Sequence, residues 1–258
     1  MCGRYRLTTT GSSLHQLFRA ELGHDHLAWR PRFNVAPTDL MPVVRAVAGD
    51  AGARPQLHIS RLQWGLVPSW SKDQTSAARM INARSETVFE KAAFKDCLRR
   101  RRCLVLADGF YEWQTLPGTS TKPKKQPMLF SFDDDRPFAM AGLWASWQGP
   151  PGVIHTFTIL TAPANDLVRP VHDRMPVIVD AADHDAWLDP HNEHVDVARL
   201  AQPRSMEHFK MRAVSAKVGN VKNDDESVLI ADELVTSTRS GAHEGMACAA
   251  PLALKRKP

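Results

Sequence analysis

No apolar run in the 258 residues approaches the roughly 20 that a membrane-spanning helix needs, which argues against a helical membrane protein. The N-terminus lacks the charged-then-apolar stretch of a secretion signal, so a cytoplasmic protein is expected, nucleoid-associated if bacterial. None of the four cysteines, Cys2, Cys97, Cys103 and Cys248, forms a CxxC pair. A reducing compartment then argues against a disulfide framework. His24 with His26, and His191 with His194, sit in polar, turn-like stretches with no second ligand pair, so neither a metal nor another cofactor is expected. No internal repeat is visible.

What is present fits one large domain. Hydrophobic residues make up 43% and charged residues 24%, an ordinary balance for a globular chain with a real core. The net charge of +5 suits a polyanionic partner but does not require one, since many basic proteins bind no nucleic acid. Lys95 and Arg99–Arg102 close one helical segment, and Lys122, Lys124 and Lys125 crowd a loop. The arginine run reads equally well as a solvated helix C-terminus and as a phosphate-facing patch.

Hydrophobic spacing predicts an amphipathic helix of about three turns from Ser12–Ser13 through Leu14, Leu17, Phe18 and Leu22 to Gly23. A second is expected from about Ser85, with Val88, Phe89, Ala92, Ala93 and Cys97 on one face, and a short third after Asp180, stopped by Pro190. Another turn is expected over Ala164 to Val168. Most of the remainder reads as strands: LHISRLQW alternates, RCLVLA is a short buried run, and PMLFSF, FAMAGLW, VIHTFTIL and MPVIV follow closely. TLPGTSTKPKKQP has the composition of an exposed hairpin loop. Strands in runs with few helices predict an α+β fold with a largely antiparallel, barrel-like β core and a few flanking helices. Residues 2–235 are expected to form this single domain, and 236–258 a flexible tail.

Six stretches carry chemistry. MCGRY places Cys2 behind the initiator methionine; methionine removal would leave an α-amine and a thiol on one carbon. That amine titrates near pH 7.7–8.0, so part of it is uncharged at neutrality and able to attack a carbonyl. RPRFNVAPTDL carries Asn34 and Pro37 in a tight loop, and WGLVPSW carries Trp70, whose ring could stack on a base. MINARSETVFEK sets Asn82 and Arg84 before a helix start, where an anion can be met. ADGFYEW holds Glu112 among aromatics: facing inward, its pKa rises and it becomes a proton shuttle; facing outward, it is a surface glutamate. PVHDRMPVIV supplies His172, suited to proton transfer near neutrality. Together these are the parts for covalent carbonyl chemistry on a charged substrate.

With RCLVLADGFYEW, LWASW, TILTAPAN and SAKVGNVKND, these blocks recur in order from residue 2 to about 224. In that order the sequence resembles the SOS-response-associated peptidase (SRAP) family of abasic-site-sensing proteins. The resemblance implies binding to single-stranded DNA with an abasic site. It also implies a thiazolidine crosslink from the processed Cys2 to the ring-opened sugar aldehyde, shielding the lesion. Cys2, Asn82, Glu112 and His172 fall on the family's catalytic positions, and Arg84 on its nearby arginine. Arg4 and Arg174 match positions expected to hold phosphates, and Pro37 with the Trp70 loop matches its base-splaying wedge. Ser71 stands where some relatives carry a second aromatic. Autoproteolytic peptidase and lyase side activities, a monomeric state and replication-fork components as further partners are implied as well. Two other readings use the same residues: an N-terminal-nucleophile amidohydrolase, and a non-catalytic reader of modified DNA bases.

Overall fold

The computed structural model describes residues 2–22, 30–47, 56–117, 123–150 and 152–232. The strands are β1 (Tyr5–Leu7), β2 (Glu21–Leu22), β3 (Arg32–Val35), β4 (Leu40–Val47), β5 (Gln56–Trp64), β6 (Asn82–Arg84) and β7 (Arg102–Ala107). They continue as β8 (Gly109–Thr115), β9 (Lys125–Phe132), β10 (Phe138–Gly149), β11 (Gly152–Pro163), β12 (Arg174–Pro176), β13 (Ile178–Val179) and β14 (Phe209–Ala213). The helices are α1 (Gly11–Phe18), α2 (Ala92–Arg100), α3 (His184–Leu188) and α4 (Val197–Leu200).

β5, β4, β7, β10 and β11 pair in that order, and β11 returns to β5 in parallel at Thr156–Gln63 and Phe157–Trp64. The result is a closed five-stranded barrel, antiparallel at every seam but that one. β7 lies between β4 and β10, and all six of its residues are buried, which is why CLVLA reads as a continuous apolar run. A second sheet runs β14-β9-β8-β1-β3. Tyr5 of β1 packs on Trp64 of β5 with ring centroids 5.2 Å apart, and Trp64 stacks on Phe157 at 6.3 Å, so the two sheets share one core. The α+β barrel expected from the strand pattern is thus the observed fold.

Two helices differ from the sequence reading. α1 stops at Phe18 because Arg19 turns left-handed (φ 48°) and its N–H returns to the His15 carbonyl. Glu21 and Leu22 then pair with His58 and Ile59 of β5 instead of continuing the helix. α2 begins at Ala92 rather than near Ser85, since the Ser85 N–H extends the sheet by donating to the Thr161 carbonyl at 2.9 Å. The hairpin expected between GFYEW and PMLFSF is present, with Thr115 opposite Lys125. Residues 118–122 of its loop, the stretch with His24 and His26, and the expected tail lie outside the described residues. After β5 the WGLVPSW loop turns at Gly65 (φ +117°), where a Cβ would sit 2.6 Å from the Ala77 carbonyl oxygen. No helix among the described residues is long and apolar enough to cross a membrane.

Candidate active site

Cys2 leads into β1 and is fully buried. Asn82 reaches it from β6, which lies parallel to β11 with Asn82 opposite Ile159. The residue before, Ile81, is fixed from both sides: its carbonyl accepts from Trp64 Nε1 at 2.9 Å and from the Ile159 N–H at 3.1 Å. So anchored, Asn82 Nδ2 donates to the Cys2 carbonyl at 2.9 Å. Asn82 Oδ1 is buried with no hydrogen-bond partner among the described residues, an arrangement that costs about 1–3 kcal/mol.

Glu112 comes from β8, whose register with β1 sets Tyr5 opposite Phe110. Alternation along β8 puts Glu112 on the same face as Phe110, toward the core, and it is 4% exposed. Burial raises its pKa to about 7. The same burial, followed by the Glu112 charge, holds the Cys2 thiol well above its ordinary range. Cys2 is therefore a neutral thiol near pH 7, and Glu112 is poised between acid and base. His172 stands just before β12, its pKa lowered chiefly by burial, so it is neutral at pH 7. Its neighbour Asp173 is close enough to Glu112 to contribute to the raised carboxyl pKa.

The expected phosphate contacts are placed unequally. Arg84 is exposed, and its guanidinium makes no hydrogen bond or ion pair among the described residues. Trp70 is 66% exposed on its loop, and Pro37 sits in the Ala36–Asp39 turn, closed by Asp39 N–H to Ala36 O at 3.1 Å. Arg4 is engaged: its Nη1 donates to Asn34 Oδ1 at 2.7 Å and to the Val218 carbonyl at 2.8 Å. Asn34 is fully buried, and its Nδ2 donates to the carbonyls of Val218, Asn220 and Asn223. Arg174 is 9% exposed and forms a bidentate pair with Glu86 at 2.8 and 2.9 Å. In the arginine run, Arg99 and Arg100 share Glu193, while Arg102 is buried against the carbonyls of Leu98, Arg99, Trp187, Asp189 and Asn192.

Two residues carry weight that the sequence reading missed. Asp224 receives the N–H groups of Phe33 and Asn34 at 2.7 and 2.9 Å and pairs with Arg32. Glu86 lies inside INARSET but looked like the first turn of a helix. Asp224 acts across 191 positions and Glu86 across 88, and no local spacing signals them.

The two sheets thus set Cys2 against the Asn82 amide and within electrostatic reach of the buried Glu112 carboxyl group. A family model described as SOS response associated peptidase (SRAP) matches residues 1–221, and the chain belongs to that family. It is 34% identical over 233 residues to the abasic site processing protein YoqW of Bacillus subtilis, covering 89% of this chain and 99% of that one. It is likewise 34% identical to the abasic site processing protein HMCES of Gallus gallus, over 80% of this chain and 68% of that protein. A solved structure from Bacteroides thetaiotaomicron shares the fold, with TM-score 0.75 at 22% identity, over 90% of this chain and all of that one. A phage-related protein from Bordetella bronchiseptica aligns with TM-score 0.61 at 30% identity, over 83% of this chain and 94% of that one.

Proposed function

We propose that this protein senses abasic sites in single-stranded DNA and captures them covalently through Cys2 once Met1 is removed. The observation that carries the reading is the convergence on Cys2: Asn82 holds its carbonyl, and the buried carboxyl of Glu112 lies close enough to act on its thiol. The names of the relatives, abasic site processing proteins, point to the same substrate.

The order of steps follows from the protonation states. The thiol is held neutral, so the uncharged α-amine of Cys2 is the first nucleophile. The sugar must first open: water takes the anomeric hydroxyl proton as His172 passes its ring proton to the ring oxygen and regains one from water, exposing the C1′ aldehyde. Glu112 takes a proton from the attacking amine and returns one to the departing hydroxyl, so that water leaves and a Schiff base remains. The Cys2 S–H then adds across the C=N bond, closing a five-membered thiazolidine. That last step is intramolecular and gains from high effective concentration. Arg84 meets a flanking phosphate, and Trp70 with Pro37 parts the neighbouring bases. A Schiff base that fails to close is open to β-elimination, which gives lyase activity as a side reaction. Whether the protein removes its own methionine, as a peptidase, is a separate step at the same residue.

Mixing mature protein with single-stranded DNA carrying one abasic site, then separating under denaturing conditions, tests the proposal. A retarded band is expected from the native chain and none from Cys2→Ala, which keeps salt-sensitive DNA binding. A stable adduct from Cys2→Ala overturns it.

A further inference from the structure

Asn82 and His172 belong to segments far apart in the chain, yet both are strapped to β11 at one post. Thr161 lies opposite Arg84 of β6 on one side and Pro176 of β12 on the other. Its carbonyl accepts the Ser85 N–H at 2.9 Å and Arg174 Nη2 at 2.6 Å, while its Oγ1 lies 3.3 Å from Arg174 Nε. Glu86 closes the clasp with its two hydrogen bonds to the Arg174 guanidinium. So held, the backbone N–H of Arg174 points at His172 Nδ1 from 3.0 Å.

We propose that Glu86 is a positioning residue for His172: its grip on Arg174 keeps that backbone N–H against Nδ1 and thereby presents Nε2–H to the substrate. The inference rests on the reading of His172 as proton donor given above. A ring nitrogen that accepts a hydrogen bond is unprotonated, so the neutral imidazole carries its proton on Nε2. Asp173 Oδ1 lies 2.8 Å from the same Nδ1 and by itself favours the opposite tautomer. The two contacts are not equal. The Asp173 side chain is 85% exposed and free to turn into water, whereas the Arg174 N–H is fixed at the start of β12 and would be left without an acceptor. The backbone contact wins for the neutral ring, and Asp173 serves the imidazolium. Arg174 is held at four of its N–H groups by Glu86 and Thr161. Glu86 is itself 44% exposed, so replacing it leaves the core intact.

The test compares the mature chain with Glu86→Ala and Glu86→Asp, and places Glu86→Ala in a His172→Ala background. Nitrogen-15 spectra of the imidazole in DNA-free protein should show a single Nε2–H tautomer for His172 in the native chain. Glu86→Ala should give a mixture, and Glu86→Asp should restore much of the native signal. At saturating abasic DNA, Glu86→Ala should form adduct about ten- to a hundredfold more slowly at an unchanged half-saturating concentration. It should add no further loss in the His172→Ala background. An unchanged tautomer, a wild-type rate, a loss confined to half-saturation, or an equal loss without His172 each overturns the proposal. Should the native chain form no adduct, the functional reading fails, while the tautomer of the DNA-free protein still decides the role of Glu86.

Discussion

The Asn82 side-chain amide donates to the Cys2 carbonyl at 2.9 Å, joining residues 80 positions apart. Its other polar atom, Oδ1, is buried with no partner among the described residues, so the bond to Cys2 is the one that fixes this amide there. Asn82→Ala should slow adduct formation by roughly ten- to a hundredfold, as expected when a nucleophile loses its alignment. One lost hydrogen bond changes stability by only about 0.5–1.5 kcal/mol. Asn82→Asp, which sets a carboxylate oxygen against a carbonyl oxygen, should be slower still. Single-turnover kinetics by denaturing electrophoresis, beside thermal melts, check both expectations.

Glu112 gives a pH dependence of defined sign. Burial lifts its folded pKa from the ordinary 4.5 to about 7. Between those values the folded state binds more protons than the unfolded state, so this group makes stability fall as pH rises through the window. The effect is on the order of 3 kcal/mol. Glu112→Gln does not titrate. The difference in unfolding free energy between the native chain and this variant should therefore shift against the native chain from roughly pH 4 to pH 8, as read from denaturant curves. A constant difference would remove Glu112 from the buried titrating groups.

Arg84 is the exposed cation beside the site, and the engaged arginines should behave differently. Arg84→Ala should weaken single-stranded DNA binding and reduce the slope of log affinity against log salt by about 0.7, the loss of one phosphate contact. Trp70→Ala should weaken binding by about 1–3 kcal/mol without lowering the melting temperature, because the ring is exposed. Fluorescence anisotropy across a salt series reads both.

Asp224 is a stability residue. Asp224→Ala leaves the N–H groups of Phe33 and Asn34 and the Arg32 guanidinium without their shared acceptor. The expected loss is roughly 3 kcal/mol, within the range for breaking a buried charged network. A chemical denaturation midpoint that hardly moves would contradict it.

The barrel was legible because its strands announce themselves: CLVLA is apolar throughout and buried throughout. Glu112 was legible as a choice of face, and the β8 register with Phe110 made the choice. The end of α1 was not legible, since Arg19 takes a left-handed conformation that glycine usually marks. Arg174 was legible as a guanidinium fork but not as to its partner, because that fork fits a carboxylate as well as a phosphate. Glu86 lies 88 positions from Arg174, and Asp224 lies 191 from Phe33, so neither pairing leaves a trace in local spacing.

Arg4, two residues from Cys2, is held by the carbonyls of Val218 and Gly219, more than two hundred residues downstream. A ribosome therefore delivers Cys2 and Arg4 long before it delivers the braces that steady them. Until that late stretch emerges, the leading residues lack these anchors, and only a finished domain holds Cys2 in its buried place.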